Sequence, residues 1–269
     1  EKKIMRLLNI FKKKAKVAII RLEGTISPAI SFGAGLNDAS LSKTIEKAFS
    51  LRKASAVVLI INSPGGSPTQ SSLIAARVRR LAEKNNVEVL AFCEDVAASG
   101  GYWLACAADE IFADENTIIG SIGVISSGFG FHELIERQGI ERRVHTSGED
   151  KSILDPFRPQ KQKDIKKLKQ LQKQIHDNFI KHVKSRRGNK ILSDDVFSGE
   201  FWLAGEAFEK GLIDGVGHLE DVIFKKYGES CKLIFFSSKK SFIGKLSRSA
   251  YQSLTEGLIN KINLLRFGL

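Results

Sequence analysis

Short, continuous apolar runs alternate with amphipathic segments along much of this chain. Residues 16–22 (KVAIIRL), 56–62 (AVVLIIN) and 87–93 (VEVLAFC) are bounded by polar turns, which is typical of strands covered on both faces. Between them, residues 40–54 and 69–84 place apolar side chains at helical spacing. Strands that alternate with helices predict crossover βαβ units, so the predicted fold class is α/β with a largely parallel sheet.

The second half of the chain continues this alternation less regularly. Residues 110–113 (EIFA) and 117–126 (TIIGSIGVIS) predict two more strands, and 232–236 (KLIFF) predicts another. A short helix is predicted near 99–107. Residues 160–187 form a long, lysine-rich helical pattern with apolar side chains on one face. We therefore expect the sheet to extend beyond its first three strands.

Basic amphipathic segments flank this region on both sides. Residues 1–15 mix lysines with apolar side chains, as in a helix that lies in a membrane interface, and residues 237–269 predict a basic helical tail. Between them, residues 16–236 are expected to form one domain. No run of 18 apolar residues occurs, so no segment is predicted to span a bilayer. Because the chain begins with Glu1, the sequence leaves open whether a membrane anchor precedes it.

The formal net charge is +12, but the positive charge is regional. Residues 1–16 carry +6, residues 161–187 carry +8 and residues 225–269 carry +7, whereas the remainder sums to −9. Lysine-rich surfaces of this kind are most often simply solvated. The alternative is that they bind an anionic membrane surface. No nucleic-acid-reading motif occurs, so nucleic acid is not an expected partner.

The three cysteines, Cys93, Cys106 and Cys231, are odd in number and lie in or beside apolar stretches. This placement predicts buried, reduced thiols rather than a disulfide framework. It favours a cytoplasmic or membrane-associated location in a reducing compartment.

A glycine-rich turn follows the second predicted strand, in the sequence INSPGGSP at 61–68. Two successive glycines allow backbone conformations closed to other residues, so their amides can point into a cleft and face a developing negative charge. A tight strand-to-helix turn explains the same residues equally well. The motif alone leaves both interpretations open.

Ser99 lies among small residues in the sequence AASGGY, just before a predicted helix. A nucleophilic serine needs this uncrowded approach, but a serine before a helix is more often its N-terminal cap. A nucleophile also needs a base, and none of the five histidines has an obviously catalytic setting. Lys151 is distinctive among 28 lysines because Ile153, Leu154 and Phe157 could form an apolar wall for its ammonium, although nearby aspartates oppose this.

The spaced motifs together resemble signal peptide peptidase A in its single-repeat bacterial form, and the similar protease SohB. They are NSPGG (62–66), ASGGY (98–102) and GSIGV (120–124), with a lysine 52 positions after the serine and a Pro-Phe pair at 156–157. The resemblance covers about residues 16–225. It identifies residues 16–236 as the protease domain.

The resemblance implies a Clp/crotonase-like fold of repeated ββα units and a serine endopeptidase that needs no metal or cofactor. Ser99 would be the nucleophile, Lys151 the general base and Ser121 a hydrogen-bond partner of the lysine, with the amides of Gly66 and Gly100 as oxyanion donors. The implied substrates are cleaved signal peptides or other small membrane-associated peptides. The implied assembly is a ring-shaped homo-oligomer whose dyad is shared between neighbouring subunits.

Three rival interpretations stay open from the sequence. Crotonase-type acyl-CoA enzymes share this fold but use carboxylates rather than a serine and a lysine. A Clp-type triad needs a histidine some two dozen residues after the serine, and residues 121–126 contain none. A non-catalytic scaffold could use the basic termini at a membrane surface.

Overall fold

The computed structural model describes residues 14–28, 35–148 and 150–237. The predicted segments 1–15 and 237–269 lie almost entirely outside these residues, so their helical character and the domain boundaries stay predictions. Within the described part of the chain, no helix is both long enough and apolar enough to cross a membrane.

Strands and helices alternate along the described residues. The strands are β1 Lys16–Glu23, β2 Ala56–Ser63, β3 Glu88–Ala98, β4 Glu110–Ala113, β5 Ile118–Gly120, β6 Phe201–Leu203, β7 Gly215–Val216 and β8 Lys232–Phe236. The helices are α1 Asp38–Phe49, α2 Pro68–Asn85, α3 Gly100–Ala105, α4 His132–Arg137, α5 Gln162–Arg187, α6 Ala204–Glu209 and α7 Leu219–Tyr227. Short 3-10 turns lie at Gly188–Lys190 and Asp194–Phe197.

The strands form one sheet in the order β6-β5-β3-β2-β1-β8, and β4 pairs with both β3 and β7. The pairs of the central strands β1, β2 and β3 are parallel, as are those of β4, β7 and β8, and only β5 and β6 run antiparallel. This arrangement confirms the predicted α/β class with a largely parallel sheet.

Both faces of the central strands are buried, which explains their continuous apolar runs. In β2, Val57, Leu59 and Ile61 pack in the core that contains α1, α2 and α3, whereas Val58 and Ile60 face the smaller core beneath α7. A strand with only one covered face would have alternated apolar and polar residues. The sheet therefore forms the middle layer of a three-layer structure.

The predicted strand at 117–126 is much shorter than expected. β5 ends at Gly120, whose φ is +111°, and Ser121 follows with a φ of +52°. A strand requires negative φ, so two successive residues with positive φ end it and turn the chain. The apolar pattern of TIIGSIGVIS could not reveal this turn.

Residues 121–161, which we call the 121–161 segment, connect β5 to α5, and their described part contains one short helix, α4. Several of its large apolar side chains are exposed rather than packed in the core, namely Ile125, Phe129, Phe131, Leu134, Ile140, Ile153 and Phe157. The segment folds partly on itself, because the Phe131 amide donates to the Pro156 carbonyl at 2.6 Å and Phe131 packs against Phe157. It leaves a large apolar surface uncovered in the single chain.

Candidate active site

Three adjacent strands end at the same edge of the sheet and bring the three glycine-containing motifs together. In the register of the sheet, Ser63 of β2 lies beside Ala97 of β3, and Ala98 lies beside Gly120 of β5. Because these pairs are parallel, the residues that follow each strand emerge side by side. This is the edge at which open α/β sheets build their sites.

Gly65 packs directly against the Ser99 backbone and could not be replaced by a larger residue without movement. A Cβ atom at Gly65 would lie 2.7 Å from the Gly100 nitrogen and 2.9 Å from the Ser99 Cβ. Its φ of +98° also belongs to the region that favours glycine. The NSPGG turn therefore forms one wall of the space around Ser99.

Ser99 lies at the junction between β3 and α3 in a strained conformation. Its φ is +53°, and its amide donates to the Gly120 carbonyl at 2.7 Å. It occupies the N-cap position of α3, but its side chain makes no capping hydrogen bond. The structure therefore contradicts the expectation that Ser99 acts as a helix cap. A serine on a sharp strand-to-helix turn is the backbone arrangement of many serine hydrolases.

Two amides close to Ser99 are free to bind an anion. On either side of Gly66, the Ile26 amide donates to the Gly65 carbonyl and the Ser67 amide donates to the Ile26 carbonyl, each at 2.8 Å. In such a parallel pairing the N–H of Gly66 itself points away from Ile26. Gly100 begins α3, so its amide has no acceptor within the helix. Neither amide has a hydrogen-bond acceptor among the residues that the structure describes.

Ser121 follows Gly120 just as Ser99 follows Ala98, so the two serines continue neighbouring strands. Ser121 is buried, has a φ of +52°, and donates its amide to the Glu200 carbonyl at 2.7 Å. The antiparallel pair of β5 with β6 brings Glu200 to this position. The 3-residue β6 therefore fixes the turn that carries Ser121.

Two histidines of α5 contact the elements that carry Ser99 and Ser121. His176 Nε2 donates to the Ile122 carbonyl at 2.9 Å, and His182 Nε2 donates to the Trp103 carbonyl of α3 at 3.1 Å. The His182 ring also stacks on Trp103, with 4.9 Å between ring centroids. Burial lowers the pKa of His182, and this effect outweighs its hydrogen bond to Trp103.

No local sequence pattern assigns these two histidines a role at the site. The contacts join residues 54 and 79 positions apart. The lysine-rich surroundings of both residues indicated only an exposed helix face. Only the packing of α5 across the end of the sheet brings them to the site.

Lys151 lies on an exposed turn of the 121–161 segment, and its amide donates to the Gly148 carbonyl at 3.4 Å. The expected apolar wall does not enclose it in the single chain, since Ile153 and Phe157 are each 37% exposed. The neighbouring Asp150 pairs with Lys163 rather than with Lys151. No hydrogen bond or ion pair within the described residues joins Lys151 to Ser99. The structure thus brings together four of the five candidate residues and leaves Lys151 outside the group.

The cysteines are less suited than Ser99 to act as a nucleophile. All three cysteines are buried and unpaired, and burial raises the pKa of Cys93 and raises that of Cys106 to about 12. A thiol with such a pKa is a poor nucleophile near neutral pH. Among the described residues, no group of three or more histidine, cysteine, aspartate or glutamate side chains is arranged to hold a metal ion.

The chain is similar over most of its length to curated proteins that are themselves longer. It is 46% identical over 234 residues to the Na(+)/H(+) antiporter NhaA of Brucella abortus, a match that covers 86% of this chain and 32% of that protein. It is 30% identical over 243 residues to the probable protease SohB of Haemophilus influenzae, covering 90% of this chain and 66% of that protein. The chain thus spans about a third of the first of these relatives and about two thirds of the second.

A solved structure has the same fold. The 1510-N membrane-bound stomatin-specific protease, as a mutant in complex with a substrate peptide, superimposes with a TM-score of 0.54 at 16% identity, covering 87% of this chain and 96% of that chain. The family model described as Peptidase family S49 matches residues 82–229, which include Ser99, Ser121 and Lys151. The chain therefore belongs to peptidase family S49, with the protease fold that its resemblance to signal peptide peptidase A and SohB predicted.

Proposed function

We propose that this chain hydrolyses peptide bonds with Ser99 as nucleophile and Lys151 as general base. The observation that carries the proposal is the setting of Ser99. Its backbone is strained, its hydroxyl is not used as a cap, and the unpaired amides of Gly66 and Gly100 lie close by. A strained backbone conformation costs free energy, and proteins that retain one commonly do so at an active site.

In the proposed reaction, neutral Lys151 accepts the Ser99 proton as the serine oxygen attacks the carbonyl carbon of the substrate. The carbonyl oxygen becomes an oxyanion that accepts hydrogen bonds from Gly66 and Gly100. Lys151 then donates its proton to the leaving amine, which leaves an acyl-enzyme. A water molecule hydrolyses that ester and regenerates Ser99. The Ser121 hydroxyl would hydrogen-bond the lysine and hold its amine toward Ser99.

We propose further that Lys151 serves the Ser99 of a neighbouring subunit. Two features of the 121–161 segment support this arrangement: Lys151 is exposed on it, and Phe129 and Ile140 of the same segment are 81% and 59% exposed. Burial of this apolar surface against a second copy would remove it from water. It would also desolvate the ammonium of Lys151, which favours the neutral amine that a general base requires.

The proposed substrates are peptides, in particular the signal peptides left after cleavage or other small membrane-associated peptides. The substrate peptide bound to the 1510-N protease supports the general class. The resemblance to signal peptide peptidase A supports the narrower one. The same resemblance supports a ring-shaped homo-oligomer that works at or near a bacterial membrane.

A serine-directed acylating probe tests the dyad. We expect the oligomeric wild-type protein to be labelled on Ser99, and we expect Lys151→Ala to lose labelling and peptide hydrolysis. Removing a catalytic base typically lowers the rate by roughly a hundredfold to ten-thousandfold. The matched controls are Lys166→Ala and Ser230→Ala, which change exposed residues outside the 121–161 segment. Wild-type protein that resists labelling, or a Lys151→Ala variant that cleaves peptide normally, contradicts the proposal.

A further inference from the structure

A strongly basic cavity lies at the opposite edge of the sheet from Ser99. Its volume is about 590 Å³, and it is lined by Lys14, Lys16, Arg52, Lys53, Ser55 and Lys232. Five of these six side chains are cationic and none is acidic. We call this cavity the basic basin.

The fold assembles the basic basin from three separate parts of the chain. Lys16 of β1 and Lys232 of β8 are register partners at the amino ends of their parallel strands. The turn after α1 supplies Arg52, Lys53 and Ser55, and the Ser55 amide donates to the Lys16 carbonyl at 2.8 Å. Residues far apart in sequence therefore converge on one cavity because two strands begin there.

The ion pairing of four basin cations differs from that of a basic side chain at a nearby strand end. Lys14, Lys16, Arg52 and Lys232 form no ion pair with any residue in the described ranges. By contrast, Lys226 pairs with Glu88 at 2.6 Å and with Glu110 at 3.0 Å, at the amino ends of β3 and β4. Glu88 and Glu110 are thus already paired. Like charges held together repel one another, so the basin is suited to an external anion.

We propose that the basic basin docks the protein on anionic phospholipid headgroups. The sequence that precedes Lys14 supports a membrane rather than a small soluble anion. Residue 14 lines the basin, and the 13 residues before it contain five lysines and arginines together with six apolar residues. A cationic surface next to a basic, apolar stretch of sequence matches the chemistry of an anionic bilayer.

Docking through the basic basin would set the position of the active site. The basin lies at the amino ends of the strands and Ser99 at the carboxyl ends, and β1 has 8 residues. At about 3.3 Å per residue, the two edges are roughly 25 Å apart. Ser99 would then face away from the bilayer and receive peptides that have left it. This inference adds a binding surface and does not depend on the Ser-Lys dyad.

The test is flotation of the full chain with vesicles of phosphatidylcholine containing 30% phosphatidylglycerol, compared with pure phosphatidylcholine. The basin variant is Lys16→Gln/Arg52→Gln/Lys232→Gln. The control is Lys166→Gln/Lys167→Gln/Lys169→Gln, which removes the same charge from exposed positions of α5. We expect the basin variant to bind anionic vesicles roughly a hundredfold more weakly and the control to bind almost normally.

Several outcomes would overturn the proposal. Equal weakening of both variants would mean that only net charge matters, and equal retention would mean that the basin is not used. Displacement of wild-type protein by micromolar pyrophosphate at constant ionic strength would assign the basin to a soluble anion. Binding to single-stranded RNA in preference to vesicles would assign it to nucleic acid. Labelling of Ser99 by the acylating probe should stay unchanged in the basin variant, which separates this test from that of the dyad.

Discussion

At the scale of single residues, the site depends on places where the chain has no room for a side chain. Gly65 is the clearest case, because its Cα faces both Ser99 and the Gly100 amide. The motif NSPGG could be recognised from sequence, but the purpose of each glycine could not. The structure separates them: Gly65 allows close packing against Ser99, whereas the proposed role of Gly66 uses its amide.

Gly65→Ala is expected to lower acylation of Ser99 by about a hundredfold, because a displacement of roughly 1 Å at a reacting group has an effect of this size. The new methyl group would lie 2.7 Å from the Gly100 nitrogen and must push this proposed oxyanion donor or the serine away. We also expect a loss of about 1 to 3 kcal/mol in the free energy of unfolding from the positive φ.

The control for Gly65→Ala is Gly205→Ala, since a Cβ at Gly205 would meet nothing within 4 Å. Probe labelling and urea unfolding measure the two effects separately. A Gly65→Ala protein that is labelled at the wild-type rate would show that the NSPGG turn does not shape the site.

The two residues of the proposed dyad differ in how much their local sequence reveals. From its neighbours alone, Ser99 was more simply explained as a helix cap, and only the absence of a capping bond in the structure removes that explanation. Lys151 could be selected only through the spacing of several motifs. The sequence does not reveal that Lys151 is exposed in the single chain, because this exposure depends on where the 121–161 segment leaves the core.

At the scale of elements, the strongly periodic segments were predictable and the short ones were not. The sequence located β1, β2, β3, α2 and α5 within a few residues, because each has a long apolar pattern. The end of β5 at Gly120 depends on backbone conformation and was missed. The packing of α5 against α3 involves His182 and Trp103, which are 79 residues apart, so no local pattern could predict it.

The contact between α5 and α3 should make stability depend on pH through His182. Burial lowers its folded pKa below the ordinary value of 6.5, so the unfolded chain binds a proton more readily than the folded one. The contribution of His182 to the free energy of unfolding is therefore fully present above about pH 6.5. It is lost as the pH falls toward the pKa that His182 has in the folded protein. We expect the urea midpoint to fall between about pH 7.5 and 5.5.

The matched variant is His182→Phe, which keeps an aromatic ring against Trp103 and removes the titration. The protein with His182 and the His182→Phe variant should both also carry His218→Gln, which removes a second titrating histidine. The hydrogen bond to Asp114 raises the pKa of His218, which gives a contribution of opposite sign that is lost as pH rises. An equal pH dependence with and without the His182 side chain would show that this contact does not sense protonation.

At the scale of the whole molecule, the separation of Lys151 from the other candidate residues is the main difference between the single chain and the proposed active form. Ser99, Ser121, Gly66 and Gly100 lie on the rigid edge of the sheet. Lys151 lies on the 121–161 segment, whose apolar surface is uncovered. The same association that covers this surface would supply the missing base, so catalysis and assembly would be coupled.

Mixed oligomers distinguish a shared dyad from one contained in a single subunit. If Ser99→Ala and Lys151→Ala chains are co-expressed in equal amounts, each shared site draws its serine and its lysine independently from neighbouring subunits. About one quarter of the sites are then intact, so peptide hydrolysis should return to about one quarter of the wild-type rate. Ser99→Ala co-expressed with the double variant Ser99→Ala/Lys151→Ala restores no site and is the control. Co-assembled chains that stay inactive in the first mixture would place serine and base in one subunit, and the exposed 121–161 segment would then need another explanation.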